Sequence, residues 1–342
     1  MFATVTGFLE TIGLTWFVPP LKIAAGIDRR YEARRFVRMI GLPGLAIGLF
    51  LAVWWALSTQ VVIKGHALPG PREVYAAGGR MVGEYQAARR VHAEWLRGID
   101  EQVVANPTMS RAEVMALMPD TAAPTYLDQI GVSLKTVFTG FLLAAITAIP
   151  LGILCGMNRA IFEMVNPFIQ VFRPVSPIAW LPIVGIVVSA GMADVAANSF
   201  WAKSYVISAV VVCLCSLWPI LINTAGGVAN VERDYLNVAR VLNLGWVGTV
   251  WKVVLPAALP QIFNGLRLSI GVGWMVLIAA ETLSQNPGLG KFVWDMYQSS
   301  NDDTLAYIMI AVLTIGVIGF VLDRMMIALQ RLVSPGVGVQ VR

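Results

Sequence analysis

Six stretches of this chain run for some twenty residues almost without a charge, at 39–63, 136–157, 174–193, 204–231, 259–283 and 304–322. A helix needs about 20 apolar residues to cross the ~30 Å hydrocarbon of a bilayer. Within hydrocarbon each backbone polar group must find its partner inside the segment, so such runs are expected as helices. The third run can begin earlier, near Val165, and the fifth carries Arg267 near its start and Glu281 near its end. Of the 342 residues, 57% are hydrophobic and 13% charged, whereas soluble domains carry about 25% charged residues. The expected fold is all-α: a polytopic membrane protein with six transmembrane helices and both termini on one side.

The basic residues give the orientation. Lys22, Arg29, Arg30, Arg34, Arg35 and Arg38 stand before the first run, and basic flanks mark the cytoplasmic side. Arg159, the basic residues of 233–252, Arg324 and Arg331 then fall on that same side. The opposite side holds Lys203 and Lys291, apart from one long segment, 64–128, with seven basic and eight acidic residues. Topology therefore accounts for the net charge of +5, and no nucleic-acid partner is expected. The first basic residue is Lys22, so the N-terminus does not have the order of a cleavable signal. Phe2, Val5, Phe8, Leu9, Ile12 and Trp16 recur at helical spacing instead, as in a helix lying at the interface with membrane lipid.

The expected organisation follows. Residues 1–38 form a cytoplasmic and interfacial segment and 39–63 a leading span. Residues 64–128 form an extracytoplasmic helical segment, 129–333 the membrane core with a cytoplasmic loop at 232–256, and 334–342 a cytoplasmic tail. In the 64–128 segment Pro71 suits a first helical turn. Ser110 and Glu113 have capping-box spacing, Pro119 would end that helix, and Asn106-Pro107-Thr108 reads as a turn.

Chemistry-bearing patterns are scarce. Cys155, Cys213 and Cys215 all lie in apolar runs and read as small packing residues. His66 and His92 are isolated, and nothing has metal-ligand spacing, so neither metal nor cofactor is expected. No nucleophile–base pattern supports a membrane-embedded enzyme. Ion-coupled secondary transporters carry inverted repeats or chains of buried ionisable groups, and neither is present. The phosphate-cradling Gly-x4-Gly-Lys-Ser/Thr pattern is also absent, since Gly290-Lys291 is followed by Phe292. Intramembrane charges tend to face a pore or a partner. Arg267 is close enough to the span end to reach the interface, and Glu281 either does the same or fixes an outer gate. Pro174, Pro177 and Pro182 crowd the third run. They make either a surface kink or a broken helix offering N–H groups to a small anion.

The informative loop reads Asp234-Tyr235-Leu236-Asn237-Val238-Ala239-Arg240-Val241-Leu242-Asn243 and continues to Val253-Val254-Leu255-Pro256. It resembles the coupling loop of ABC importer permeases, whose pattern is Glu-Ala-Ala, three residues, Gly, nine residues, Ile-x-Leu-Pro. Asn237 replaces the glutamate, and Asn243 replaces the glycine, with Gly245 two residues on. Asparagine is the residue that best substitutes for glycine in a left-handed turn. Leu255-Pro256-Ala257-Ala258-Leu259-Pro260, Gly265-Leu266-Arg267-Leu268-Ser269, Gly273-Trp274 through Glu281, and Gly288-Leu289-Gly290-Lys291-Phe292 are similar to the nitrate, sulfonate and taurine branch. Phe172-Arg173-Pro174-Val175-Ser176-Pro177 and Cys215-Ser216-Leu217-Trp218-Pro219 resemble its nitrate-type members.

This resemblance, over 130–333, implies a type-I permease fold in a bacterial inner membrane. It implies two copies around one pore, a homodimer, with two cytoplasmic ATP-binding subunits and a periplasmic or lipid-anchored binding protein. The implied substrate is a small oxyanion, nitrate or nitrite, with sulfonate or taurine, cyanate and bicarbonate as alternatives. Asp234, Leu236, Asn237, Val238, Ala239, Arg240, Asn243 and Gly245 become candidate ATPase contacts, with Asp234 as N-cap and Leu236, Ala239, Val241 and Leu242 as one apolar side. Ser176, Pro177, Trp180, Ser269, Trp274 and Glu281 become candidates for the translocation path.

Overall fold

The structure, a computed structural model, describes residues 18–26, 28–63, 66–106, 109–118, 124–192, 201–299 and 303–333. The amphipathic repeat at 2–16, the 107–108 part of the expected turn, Pro119 and the 334–342 tail lie outside them.

Helices α1 (Val18–Ala24) and α2 (Arg29–Phe36) precede the first span, and α2 passes through a π-helical turn, Val37–Gly41, into α3 (Leu42–Gln60). Two-residue strands, Val62–Ile63 and His66–Ala67, pair as a small antiparallel ribbon. Helix α4 (Pro71–Ala105) follows; its 35 residues make a rod of about 52 Å at ~1.5 Å per residue. Then come α5 (Arg111–Leu117), α6 (Tyr126–Met157), α7 (Arg159–Phe172), α8 (Pro177–Gly191) and α9 (Lys203–Ala229). The chain continues through α10 (Arg233–Val241) and α11 (Trp246–Thr249), turns as a π-helix at Val250–Val254, and enters α12 (Leu255–Ser284). It closes with α13 (Leu289–Gln298) and α14 (Thr304–Val333).

Five helical stretches among the described residues are long and apolar enough to span a membrane: Arg30–Gln60, Tyr126–Met157, Lys203–Ala229, Trp246–Ser284 and Thr304–Val333. The run expected at 174–193 is the helix α8, which reaches the length of a span only together with α7. Helices α7 and α8 meet at a bend of 104°. The 15 residues of α8 cover about 22 Å at ~1.5 Å per residue. The cause is local: the residue before a proline is driven from helical to extended backbone, and Ser176 before Pro177 has ψ 138.

Helix α9 is the axis of the core, with α6 on one side and α12 on the other. Small residues let the backbones approach, as is usual where lipid supplies no hydrophobic drive between helices. A Cβ on Gly140 would lie 2.6 Å from the Ala209 carbonyl oxygen, and one on Gly273 would lie 2.7 Å from Ser216 Oγ. Around these contacts Val137, Ala144, Val212, Ile220, Leu221, Ile270 and Leu277 form the buried centre. Hydrogen bonds cross the same surfaces. Ser269 Oγ donates to the Ser216 carbonyl at 2.7 Å, and the Ser208 and Ser284 hydroxyls lie 2.7 Å apart.

The bundle has two unlike ends. Helix α9 starts at Lys203 at one end and delivers α10 and α11 at the other; α12 then returns and delivers α13 at the first end. Met81 of α4, Phe292 of α13 and Ala311 of α14 pack together, with Tyr126 beside them, so the long rod stands at the α13 end. The Arg80 guanidinium holds Asp303 at 2.7 Å there, and the Tyr307 hydroxyl donates to Glu84 at 3.2 Å.

Candidate functional site

At the α10 end, residues 233–254 make a short helix, a left-handed turn and a second helical piece. Sequence expectation put Asp234 at the N-cap. The structure puts Glu232 there, with no side-chain cap bond, and Asp234 in the first turn, where its charge still suits the positive helix end. The far end closes as expected for Asn243, whose φ is +51. Its N–H donates to the Arg240 carbonyl at 2.9 Å, and the Leu244 N–H reaches back to Ala239 at 3.0 Å. These two bonds satisfy carbonyls that a helix end leaves open.

The expected single apolar side is in fact two. Ala239 is 1% exposed, and Leu236 packs on Val228, Val254, Ala258 and Ile262, so both hold α10 to its own chain. Tyr235, Val238, Val241 and Leu242 point away and are exposed, as are Trp246, Val247 and Trp251 beyond them. Asn237, Arg240 and Gly245 are exposed as well. This makes an apolar strip with a basic residue in it, unpartnered within this chain among the described residues.

The path candidates divide into two groups. Ser176, Pro177 and Trp180 meet at the α7–α8 break. Ser176 is exposed, and the Trp180 ring lies against Phe172 with centroids 5.7 Å apart. Ser269, Trp274 and Glu281 sit inside the bundle of this one chain. Trp274 Nε1 donates to the Ile315 carbonyl at 3.0 Å, tying α12 to α14.

Glu281 has no exposed surface. Its carboxyl oxygens accept from Ser133 Oγ of α6 at 2.8 and 2.9 Å and from the Gly290 N–H at 3.0 Å. Ser133 Oγ in turn accepts the Leu289 N–H at 2.8 Å, and Asn286 Nδ2 donates to Thr136 Oγ1 at 3.2 Å. Sequence reading singled out Glu281 but not Ser133, Thr136, Asn286, Gly288 or Gly290 as its companions. The legible signal was two glycines, at 288 and 290, following a buried acid. Arg267 has a partner that sequence reading did not name: its guanidinium grips Asp323 of α14 with bonds of 2.6 and 3.2 Å. Opposite charges near the same end of two spans were the signal for that pair.

A bundle of long apolar helices with a bent helix pair, π-turned spans and an exposed amphipathic helix between two spans fits the membrane-embedded part of a transport machine. The chain belongs to the binding-protein-dependent transport system inner membrane component family, whose model matches residues 148–335. It is 32% identical over 291 residues to the nitrate import permease protein NrtB of Synechococcus elongatus, covering 85% of this chain and 88% of that one. It is 42% identical over 200 residues to the bicarbonate transport system permease protein CmpB of the same species, covering 58% and 66%. The taurine transport system permease protein TauC of Escherichia coli is 25% identical over 87% of this chain and 90% of its own. Among solved structures, a chain of the MetNI methionine ABC transporter in an inward-facing conformation superposes with TM-score 0.52 at 13% identity, over 60% of this chain and 95% of that one. That likeness shows the fold.

The chain is thus an ABC importer permease, a transport subunit and not an enzyme, and ATP hydrolysis belongs to separate ATPase subunits. The family implies ATPase and substrate-binding partners.

Proposed function

We propose that this permease carries a small planar oxyanion, nitrate in the first place, as a homodimer on two ATPase subunits fed by a periplasmic or lipid-anchored binding protein. The observation that carries the substrate is the likeness to a nitrate permease through 85% of the chain, which reaches well beyond the family core at 148–335. A second reading, bicarbonate, is favoured by the 42% identity to CmpB over a shorter span. Nitrate and bicarbonate are both trigonal, planar and singly charged, so one path suits either.

In this reading the α10 end faces the cytoplasm, because Arg159, Arg233, Arg240, Lys252, Arg324 and Arg331 gather there. The exposed strip of Tyr235, Val238, Val241 and Leu242 enters a groove on the ATPase, with Arg233 and Arg240 meeting carboxylates at its rim. The α13 end faces outward, and α4 and α5 help seat the binding protein. The path runs along the face on which Ser176, Pro177 and Trp180 lie, and Glu281, buried inside the chain, stands outside it.

The test is uptake in proteoliposomes holding the permease, its ATPase subunits and its binding protein. We expect ATP-dependent accumulation of labelled nitrate, weaker accumulation of bicarbonate and none of taurine. Accumulation of bicarbonate alone would move the assignment to the second reading. Accumulation without ATP, or ATP hydrolysis by the permease alone, would remove the first altogether.

A further inference from the structure

The N-terminus of α13 lacks a cap of its own. Its N-cap residue is Gly288, which has no side chain to accept a hydrogen bond, and no side-chain cap bond forms locally. The first N–H groups of a helix have no partner within it, and here they are buried. Gly290, Phe292 and Leu289 are all buried. Two side chains from other helices satisfy them. Ser133 of α6 takes the Leu289 N–H, and Glu281 of α12 takes the Gly290 N–H. The one Ser133 proton then points back to the Glu281 carboxyl.

The glycines fit this arrangement. A Cβ on Gly288 would overlap the Glu281 carboxyl group, and one on Gly290 would overlap the Ile278 carbonyl. The chain therefore folds over Glu281 closely enough that no side chain fits between. One turn on, Phe292 carries the packing to Met81 of α4 and Ala311 of α14. What the molecule presents at this end, α13 and the rod α4, stands on a junction that Glu281 closes.

We propose that Glu281 is a positioning residue for binding-protein docking: by capping α13 from α12 it holds α13, and through Phe292 the base of α4, in the shape the binding protein meets. This rests on the assignment of the α13 end to the outside. With the cap removed, the buried N–H groups favour arrangements in which they reach water. The docking-competent shape becomes a fraction of the population, and apparent affinity falls by that fraction. Maximal turnover is unaffected, because saturating binding protein restores the shape.

The experiment measures ATPase activity of the complete complex in nanodiscs against the concentration of nitrate-loaded binding protein. Losing an acceptor for buried donors is worth about a tenfold shift. For Glu281→Ala we therefore expect the half-saturating concentration to rise about tenfold, with the maximal rate within about twofold of the parent. Glu281→Gln keeps one carbonyl acceptor and should fall between. Ser133→Ala should raise half-saturation while leaving Glu281 in place, so the idea does not hang on one substitution. An unchanged half-saturating concentration in both Glu281→Gln and Ser133→Ala overturns the proposal. So does a fall in maximal rate at constant half-saturation. If binding protein fails to stimulate the unsubstituted complex, the underlying functional reading has failed instead, and the two failures are distinct.

Discussion

The two ends of this bundle are secured in different ways. At the α13 end four of the six helix starts are closed by side chains. The Glu73 carboxyl accepts the Gly70 N–H, Ser110 and Glu113 cap each other, Thr125 and Asp128 do the same, and Glu281 with Ser133 caps α13. At the α10 end Asn158 caps α7, but the N-cap Glu232 of α10 makes no side-chain bond, and the next span is reached through a π-helical turn. There α10 is fastened by Ala239 and Leu236 and by its left-handed exit, while its other apolar face stays open. One end is built to keep a shape, and the other leaves apolar surface available to a partner.

The severest test of that contrast is Gly290→Val. Its Cβ overlaps the Ile278 carbonyl and crowds Glu281, and backbone cannot step aside as a side-chain tip can. Overpacking typically costs about 1–3 kcal/mol, and the displaced cap adds about 1–3 kcal/mol for donors left bare. We expect a loss of about 3 kcal/mol or more, seen as a clear fall in the thermal midpoint in detergent and in poor yield. A variant as stable as the parent would mean that the α13 end is not tightly held.

A matched pair probes the other end. Ala239→Asp buries a carboxylate at a position only 1% exposed and should destabilise the permease by several kcal/mol at most, an effect visible without any ATPase. Val238→Asp, one residue away but exposed, should leave stability within about 0.5 kcal/mol, as surface changes usually do. In the full complex Val238→Asp should nevertheless abolish stimulated ATP hydrolysis and uptake. Equal thermal midpoints for the two variants would erase the two-faced description of α10.

How far the sequence discloses this contrast depends on the range of the interactions. Charge-free runs report the spans because hydrocarbon acts on each residue separately. They came within a few residues of α3, α9 and α12, though α6 begins ten residues before its run and α14 extends eleven beyond. The third run matches α8 within a few residues, while its suggested earlier start near Val165 crosses the 104° bend, because proline spacing announces a break without giving its angle. Asn243 was legible, since a left-handed position selects its own residue type. The partition of α10 was not: Ala239 and Val241 are alike in composition and differ only in what the rest of the chain places against them. Glu281 stood out by its charge, while its partner Ser133 lies 148 residues away and nothing in the sequence links them.

A smaller effect is expected at the exit of α10. Asn243→Val forces a β-branched residue into φ +51 and should cost about 1–2 kcal/mol of local strain. Asn243→Gly should be neutral or nearly so. The measurement is the ratio of nitrate taken up to ATP hydrolysed, which should fall for valine and hold for glycine. A normal ratio in the valine variant would mean that the turn has no part in coupling.

The least effect belongs to α5, far from the core, and its sign can be worked out. The Ser110 N–H donates to Glu113 Oε2 at 2.7 Å and the Ser110 hydroxyl at 2.9 Å, while the Glu113 N–H returns to Ser110 Oγ at 3.3 Å. The Ser110 N–H, then its hydroxyl, favour the ionised carboxylate and hold the Glu113 carboxyl below its ordinary value. A depressed folded-state pKa stabilises above the unfolded value and is lost as pH falls through the folded one. Protection of the α5 amides should therefore be constant above about pH 4.3, the ordinary glutamate value, and decline below it. Glu113 is fully exposed, so the change should stay within α5 and leave the global thermal midpoint untouched. Hydrogen exchange at residues 114–117, corrected for the intrinsic rate at each pH, reads it directly. Glu113→Gln should flatten the profile, because an amide caps without titrating. An acid-dependent loss that persists in Glu113→Gln would assign it to another group, and the capping pair would then not be what secures this helix.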